Sequence, residues 1–186
     1  MKTRRLAATA AILFSLGGSA HAGLLSFDNP APIDIDTNNI ATYAEAGYTL
    51  SAQAPDFLLL DDGAGSGMLV GGFLGAGPVT LRAAGGGQFS LLSLNFGYFD
   101  LGDTPGELAI TGLRNGQQVA LQTLALGANA SASFDSQWAS LNEVMFSASS
   151  GFQLDNIAAV PEPGSLALLG VGLAGLLASR RRVLVH

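Results

Sequence analysis

The sequence predicts an all-β fold, an antiparallel β-sandwich of the jelly-roll type, flanked by an N-terminal signal helix and a C-terminal transmembrane helix. Three observations support the sandwich. Short segments alternate apolar and polar residues, turn residues separate these segments at short intervals, and the body shows no long amphipathic helical pattern. About ten strands of this kind are typical of two-sheet sandwiches. We therefore divide the chain into residues 1–22, 23–158 and 159–186.

The first segment has the order of a secretory signal peptide. A basic start over residues 1–5 precedes a mostly apolar run over 6–16, and residues 19–22 include the small residues of an A-x-A cleavage pattern. We predict export by Sec-type machinery and cleavage after Ala22. A retained anchor is the alternative, but the apolar run is too short to span a bilayer comfortably.

The body that would remain is strongly acidic. Residues 23–160 hold 13 Asp and Glu against two basic residues, Arg82 and Arg114, a net charge of −11. Such a surface repels the phosphates of nucleic acids, so we predict no nucleic-acid partner. The charge keeps the body soluble, with attraction of divalent cations as the second interpretation.

Several residue types are missing from this body. The chain has no Cys, its one Lys is Lys2, and its two His are His21 and His186. The body therefore lacks a thiolate, a Schiff-base lysine, an imidazole base and the ligands of ordinary zinc sites. We predict that it is not an enzyme and has no cofactor. Carboxylate glycosidase chemistry or an all-oxygen calcium site are what its residues still allow.

The clearest hairpin spans residues 107–121. Apolar residues alternate on both of its strands, and Asn115–Gly116 between them suits a type I′ turn, whose two central residues need positive φ. The residues that we place on common faces are Leu108 and Ile110 on the first strand, and Val119 and Leu121 on the second.

Other strands follow the same alternation. Residues 90–98 predict one face made of Leu92, Leu94, Phe96 and Tyr98. Later strands over 142–148 and 151–157 place Val144 with Phe146 and Phe152 with Leu154, and Asp155–Asn156 suggests a bulge. Earlier strands are predicted over residues 24–27, 48–52, 57–60, 68–74 and 79–83.

Acidic loops are the candidate metal sites. Asp100, Asp103 and Glu107 lie between two good strands and either bind calcium or solvate a turn. The same two interpretations apply to Asp61 and Asp62. A glycosidase would need two carboxylates across one cleft, and no pattern selects such a pair. Four aromatic residues could form a sugar-stacking platform or belong to the core: Tyr43, Tyr48, Tyr98 and Trp138.

The last segment combines a proline-rich start, an apolar run and a basic end. Pro161, Glu162 and Pro163 precede the 13 uncharged residues 166–178, and arginines follow at 180–182. Two prolines hold a segment extended, and an exposed, extended segment is what a protease can grip. Because flanking positive charge stays on the cytoplasmic side, both chain ends are predicted inside with the body outside.

These residues resemble a PEP-CTERM sorting signal. The resemblance rests on Val160-Pro-Glu-Pro-Gly-Ser-Leu-Ala-Leu-Leu-Gly, the glycine-punctuated apolar run, and the basic end at Arg180, Arg181 and Arg182. It implies export by a Gram-negative bacterium, recognition of Pro161, Glu162 and Pro163 by a membrane exosortase, and removal of the tail. Gly-Phe-Gln-Leu-Asp-Asn-Ile, residues 151–157, is also similar to the closing strand of jelly-roll bodies in such proteins.

Three hypotheses follow. The first is a non-enzymatic exported protein that crosses the inner membrane, is processed by an exosortase, and stays at the cell surface or in the matrix with exopolysaccharide or biofilm. The second is a carbohydrate-binding jelly roll, lectin-like and calcium-dependent in one version. The third is a carboxylate glycosidase.

Overall fold

Thirteen strands and one short 3-10 helix make up the part of the body that the structure describes. This computed structural model describes residues 22–28, 32–61, 66–72, 74–75, 77–100 and 102–162. These residues belong to one unit bounded by His21 and Glu162. The strands are β1 Gly23–Leu25, β2 Asp34–Ile35, β3 Ile40–Glu45, β4 Tyr48–Gln53, β5 Phe57–Asp61, β6 Gly67–Gly71, β7 Val79–Ala83, β8 Phe89–Tyr98, β9 Glu107–Arg114, β10 Gln117–Ala125, β11 Ala130–Ser133, β12 Glu143–Ala148 and β13 Phe152–Pro161, with the helix at Ser136–Trp138.

The eight strands from β6 to β13 form a jelly roll. One sheet contains them in the order β6-β13-β8-β11, and the other in the order β7-β12-β9-β10. The first and last of the eight are therefore neighbours, and the chain crosses repeatedly between sheets, which is the double Greek-key path of this fold. All the pairings are antiparallel. For the described residues, the predicted all-β sandwich of the jelly-roll type is confirmed.

The core lies between the two sheets. Leu108 and Ile110 on β9, Val144 and Phe146 on β12, and Phe152 and Leu154 on β13 are buried at alternate positions. Each strand therefore turns one face to the partner sheet and the other to water. Burying side chains of this size contributes about 1.5–3 kcal/mol each, which makes this alternation the main source of stability.

The predicted face of β8 is wrong in its first half. Leu94 and Phe96 are buried as expected, but Leu92 is 43% exposed and its neighbour Leu91 is buried. The β8–β13 register shifts at this point, where Ser93 pairs with Ala158 and Leu91 with Ala159. A bulge exchanges the two faces of a strand, and local alternation does not show where the exchange occurs.

The predicted hairpin is confirmed, with one difference on its second strand. Asn115 and Gly116 have φ of 51° and 76°, as a type I′ turn needs. Val119 and Leu121 share a face, but it is the solvent face, while Ala120 between them is buried. The register shifts between Gln118 and Ala120, so an irregularity directly after the turn sets which side of β10 meets the core.

The last strand is longer than predicted. β13 covers Phe152–Pro161, whereas the alternation predicts a strand over residues 151–157. Three strands were not predicted: β2, β3 and β11. The predicted signal helix, the transmembrane helix, and Pro163 with Arg180, Arg181 and Arg182 fall outside the described residues. Across the described ranges, none of the helical structure is long and apolar enough to cross a bilayer.

Candidate functional site: a polar groove and the exit pole

A groove of about 360 Å³ runs over the outer face of the sheet that contains β8 and β13. Leu94 and Phe96 point into the core, so Asn95 between them points outward. Gln153 and Asp155 flank buried Leu154 in the same way. We call this feature the polar groove, and the described residues that line it are Ser66, Gly67, Met68, Asn95, Phe96, Asn129, Ala130, Ser131, Gln153 and Asp155.

Strand register places three polar side chains in one row. Asn95 on β8 lies opposite Asp155 on β13 and opposite Ser131 on β11. The Ser131 hydroxyl donates a hydrogen bond to Asn95 Oδ1 at 2.8 Å. Side chains opposite each other on one face stand about 5 Å apart, so the row forms a continuous polar strip across three strands.

A second polar contact crosses the strip at Gly97. Gln153 lies opposite this glycine, and its Nε2 donates a hydrogen bond to Asn129 Oδ1. A Cβ at residue 97 would overlap the Asn129 amide and stand 2.9 Å from Gln153 Nε2. The absence of a side chain on β8 is therefore what lets β13 and the loop before β11 meet over it.

One end of the groove is acidic. Asp155 accepts hydrogen bonds from the backbone N–H and the side-chain amide of Asn156, both at 2.6 Å. Burial raises the pKa of Asp155, and the negative charges of Asp28 and Glu45 add to the effect. Asp28 is held nearby because it accepts a hydrogen bond from Gly67 N–H at 3.2 Å.

Asn156 forms the bulge that was predicted beside Asp155. It has φ of 49°, and the β8–β13 register shifts between Asp155 and Ala158. Residues Asn and Asp tolerate this left-handed conformation better than most. The bulge turns Ile157 into the core and fixes the direction of the Asp155 carboxylate.

The predicted calcium loop is arranged around a tyrosine. Tyr98 donates its hydroxyl hydrogen to Asp103, with 2.6 Å to Oδ1, and lies 3.4 Å from Asp100 Oδ1. The hydrogen bond to Asp103 raises the pKa of Tyr98 to about 12. Glu107 begins β9 and is exposed. Within the described ranges, no three acidic, His or Cys side chains converge as metal ligands do.

The candidate sugar-stacking aromatics do not form a platform. Tyr43, Tyr48 and Trp138 are 1%, 0% and 4% exposed and belong to the core. Tyr43 donates a hydrogen bond to Glu45 at 2.9 Å, and burial raises its pKa. The core interpretation of these residues is confirmed. The sequence analysis did not single out Asn95, Gln153 or Ser131. For Asn95 and Gln153 the available signal is a polar residue between two buried ones, whereas Ser131 follows an exposed alanine and offers no such signal.

The two predicted processing points lie at the same end of the sandwich. β1 and β13 are antiparallel with Gly23 opposite Ala159, so Ala22 lies at the level of the last residues of β13. We call Ala22, Gly23, Pro161 and Glu162 the exit pole. The prolines were expected to keep the motif extended and exposed. Pro161 is extended in β13, but Pro161 and Glu162 are half-buried, because they pair with the body.

Comparisons with known proteins identify the tail more clearly than the body. No curated protein is significantly similar to the chain. One solved structure, the CBM22-1-GH10 modules of the N-terminal endo-1,4-β-D-xylanase 10B of Clostridium thermocellum complexed with xylohexaose, shares 13% identity. The match covers 74% of this chain and 27% of that chain, with a TM-score of 0.36. This chain thus spans about a quarter of that structure's length.

The family comparison matches the closing segment. The model of the PEP-CTERM protein-sorting motif matches residues 159–182, which include the proline-rich start, the apolar run and the three arginines. The match confirms the resemblance on which the sorting prediction rests. The chain therefore carries a PEP-CTERM protein-sorting motif over residues 159–182.

Proposed function

We propose that this chain is a non-enzymatic exported protein of the cell surface or extracellular matrix, released from its tail by an exosortase. The sorting motif over residues 159–182 is the observation that carries the proposal. The exit pole supports it as well, because Ala22 and Glu162, the first and last residues that the structure describes, lie at the same end of the sandwich.

Replacement of the motif tests the sorting step. With Pro161, Glu162 and Pro163 all changed to Ala, the tail should remain attached, and the protein should accumulate in the membrane fraction at the higher mass. Pro105→Ala, in the exposed loop before β9, is the matched control and should be processed like the wild type. Equal processing of the triple variant would contradict the proposal.

The polar groove favours a second function, binding of extracellular polysaccharide. Its amides and hydroxyls both donate and accept hydrogen bonds, which suits the hydroxyl groups of a glycan. The donors and acceptors stand in a row over three strands, at a spacing that an extended chain of sugars can follow. Phe96, the one aromatic residue among the described lining residues, is 7% exposed, so we expect polar recognition with little stacking.

Binding to exopolysaccharide tests this function directly. Gln153→Ala should weaken binding by about tenfold, because it removes a hydrogen-bonding amide from the groove. Gln117→Ala, at an exposed position of β10, is the matched control and should bind like the wild type. Binding that survives a chelator argues against a calcium-dependent version. Equal binding by both variants would place the glycan elsewhere, and no binding by the wild type would end the hypothesis.

The groove gives little support to a glycosidase. Asp155 carries the one carboxylate among the described residues that line it, whereas either glycosidase mechanism uses two carboxyl groups facing one cleft. We therefore propose no catalytic pair. Incubation of the protein with exopolysaccharide should release no reducing ends.

A further inference from the structure

The folded body binds Pro161 and Glu162, which belong to the sorting motif, through strand pairing and hydrogen bonds. β13 pairs with β8 through Pro161, which lies opposite Phe89. Glu162 continues this path, and its N–H donates a hydrogen bond to the carbonyl oxygen of Gln88 at 2.8 Å. Its carboxylate accepts a hydrogen bond from Ser140 Oγ at 2.5 Å. Both the backbone and the side chain of Glu162 are therefore bound to the sandwich.

The residue that binds the carboxylate is itself held in place. Ser140 has φ of 55°, and its carbonyl oxygen accepts a hydrogen bond from Arg114 Nε at 3.0 Å. Arg114 also donates from Nη2 to the carbonyl oxygen of Ala139 at 2.8 Å. Next to it, Phe89 and Leu141 exchange two backbone hydrogen bonds at 2.8 Å. The Ser140 hydroxyl and the Gln88 carbonyl group that bond to Glu162 thus adjoin backbone that is itself hydrogen-bonded within the body.

We propose that this contact is a latch: the folded sandwich withholds Pro161 and Glu162 from the enzyme that removes the tail, and tail removal requires the latch to open. The inference rests on the proposed sorting function. A processing enzyme binds backbone and side-chain groups that the latch already occupies. The apparent affinity of the enzyme then falls in proportion to the open fraction, so the latch sets the processing rate.

Ser140→Ala and Ser140→Gly test the latch without changing the motif. Both remove the hydroxyl that binds Glu162, and Gly also accepts the positive φ of residue 140 without strain. In a Gram-negative host with an exosortase, pulse-chase labelling should show tail removal about three- to tenfold faster, as expected for loss of a partly solvated hydrogen bond to a charged group. Ser133→Ala, exposed on β11, is the control and should match the wild type.

Amide exchange reports the latch independently of the enzyme. On the full-length protein in detergent micelles, the Glu162 N–H should exchange faster in both Ser140 variants, while the Leu141 N–H, bound to Phe89, should keep its protection. Faster exchange without faster tail removal would overturn the proposal, because the latch would open without affecting the enzyme. Unchanged exchange would overturn it as well.

An engineered disulfide tests the opposite direction. Val160 on β13 lies opposite Ser90 on β8, and the chain has no cysteine that could compete. The double variant Val160→Cys with Ser90→Cys should stop or strongly slow tail removal, and a membrane-permeant reductant should restore it. The two single variants control for the substitutions. Unimpeded processing of the cross-linked protein would contradict the latch, whereas failure of the wild type to lose its tail would contradict the sorting function itself.

Discussion

The two ends of β13 differ in what their polar groups do. At the groove end, Gln153 and Asp155 line an open groove, and Gln153 donates a hydrogen bond to Asn129 in the loop before β11. At the exit end, Pro161 pairs with Phe89 of β8, and the Glu162 N–H donates a hydrogen bond to Gln88, just before β8. Ser140 donates a hydrogen bond to the Glu162 carboxylate. The ends are six residues apart, about 20 Å along a strand. One strand therefore joins the polar groove to the first residues of the sorting motif.

The two ends of β13 differ in how many strands they pair with. At the groove end, Phe152, Gln153 and Leu154 pair with β8 on one side and with β6 on the other. The exit end lies past Gly23, the first residue of β1, and keeps β8 as its paired strand among the described elements. The bulge at Asn156 lies between the groove end and the exit end of β13, and it changes which side chains point outward.

The largest expected effect is at a glycine under the groove end. A Cβ at Gly67 would overlap the carbonyl group of Phe27, whose backbone is buried and cannot move aside cheaply. Gly67→Ala should therefore lower the free energy of unfolding by about 3 kcal/mol or more. Gly87→Ala, near the exit end and with open space around it, is the control and should be neutral in urea unfolding. Equal stability of both variants would show that the groove end is less tightly packed than we describe.

Two tyrosines, one near each end of β13, have raised pKa values for different reasons, and both should titrate at high pH. Burial raises the pKa of Tyr48, beside Gly23, to about 12, whereas at the groove end the hydrogen bond to Asp103 raises the pKa of Tyr98. When folding raises the pKa of a tyrosine, the resulting contribution to stability is fully present below the pKa of the unfolded chain, about 10. It is lost as pH rises through the pKa of the folded protein. From Tyr48 alone, stability should fall by about 2–3 kcal/mol between pH 10 and pH 12.

The causes of the two shifts can be separated by mutation. Asp103→Ala should lower the pKa of Tyr98 toward 10 and leave that of Tyr48 unchanged, as measured by ultraviolet titration of the phenolate with Tyr48→Phe to assign the signals. A Tyr98 pKa that does not move would contradict the hydrogen bond to Asp103 as its cause.

A smaller effect is expected at Gly97, where Asn129 and Gln153 meet. Gly97→Ala should push these two flexible side chains apart, at a cost of about 1–2 kcal/mol. It should also weaken polysaccharide binding, since the side chains of the groove would be displaced. Gly127→Ala has no atom near its added Cβ and serves as the control in both the unfolding and the binding measurement. Full binding by Gly97→Ala would show that the contact over β8 does not shape the site.

The smallest effect concerns the bulge between the two ends. Asn156→Ala should cost about 1 kcal/mol, because Ala is strained at φ of 49° and cannot bond to Asp155. Asn156→Gly restores the backbone freedom and should recover most of that loss in thermal unfolding. A Gly variant as unstable as the Ala variant would assign the cost to the side-chain hydrogen bond rather than to the backbone.

Local sequence predicted the parts of the fold that depend on local alternation. The β9–β10 turn and the buried faces of β9, β12 and β13 were read from patterns a few residues long, and the structure agrees. The face of Leu92 was not predictable, because a bulge in β8 is fixed by its pairing with β13. The short strands β2, β3 and β11 lacked a strong apolar pattern and depend on neighbours for their pairing.

Of the candidate functional residues, the sequence predicts only those of the sorting motif. The proline motif is contiguous in sequence, so its residues could be named directly. The groove joins Asn95 with Asp155, and the latch joins Ser140 with Glu162, pairs that are distant in the chain and meet through sheet register. For the acidic loop with Asp100 and Asp103, the sequence leaves a calcium site and a solvated turn as alternatives. It does not indicate that both side chains lie within hydrogen-bond distance of the Tyr98 hydroxyl.

The intact mass of the exported protein tests the central claim most directly. We expect a mature form that begins at Gly23 and has lost the segment that contains Arg180, Arg181 and Arg182, while the sandwich through β13 is retained. An exported protein whose mass still includes those arginines would contradict processing at the sorting motif and leave a plain anchored sandwich.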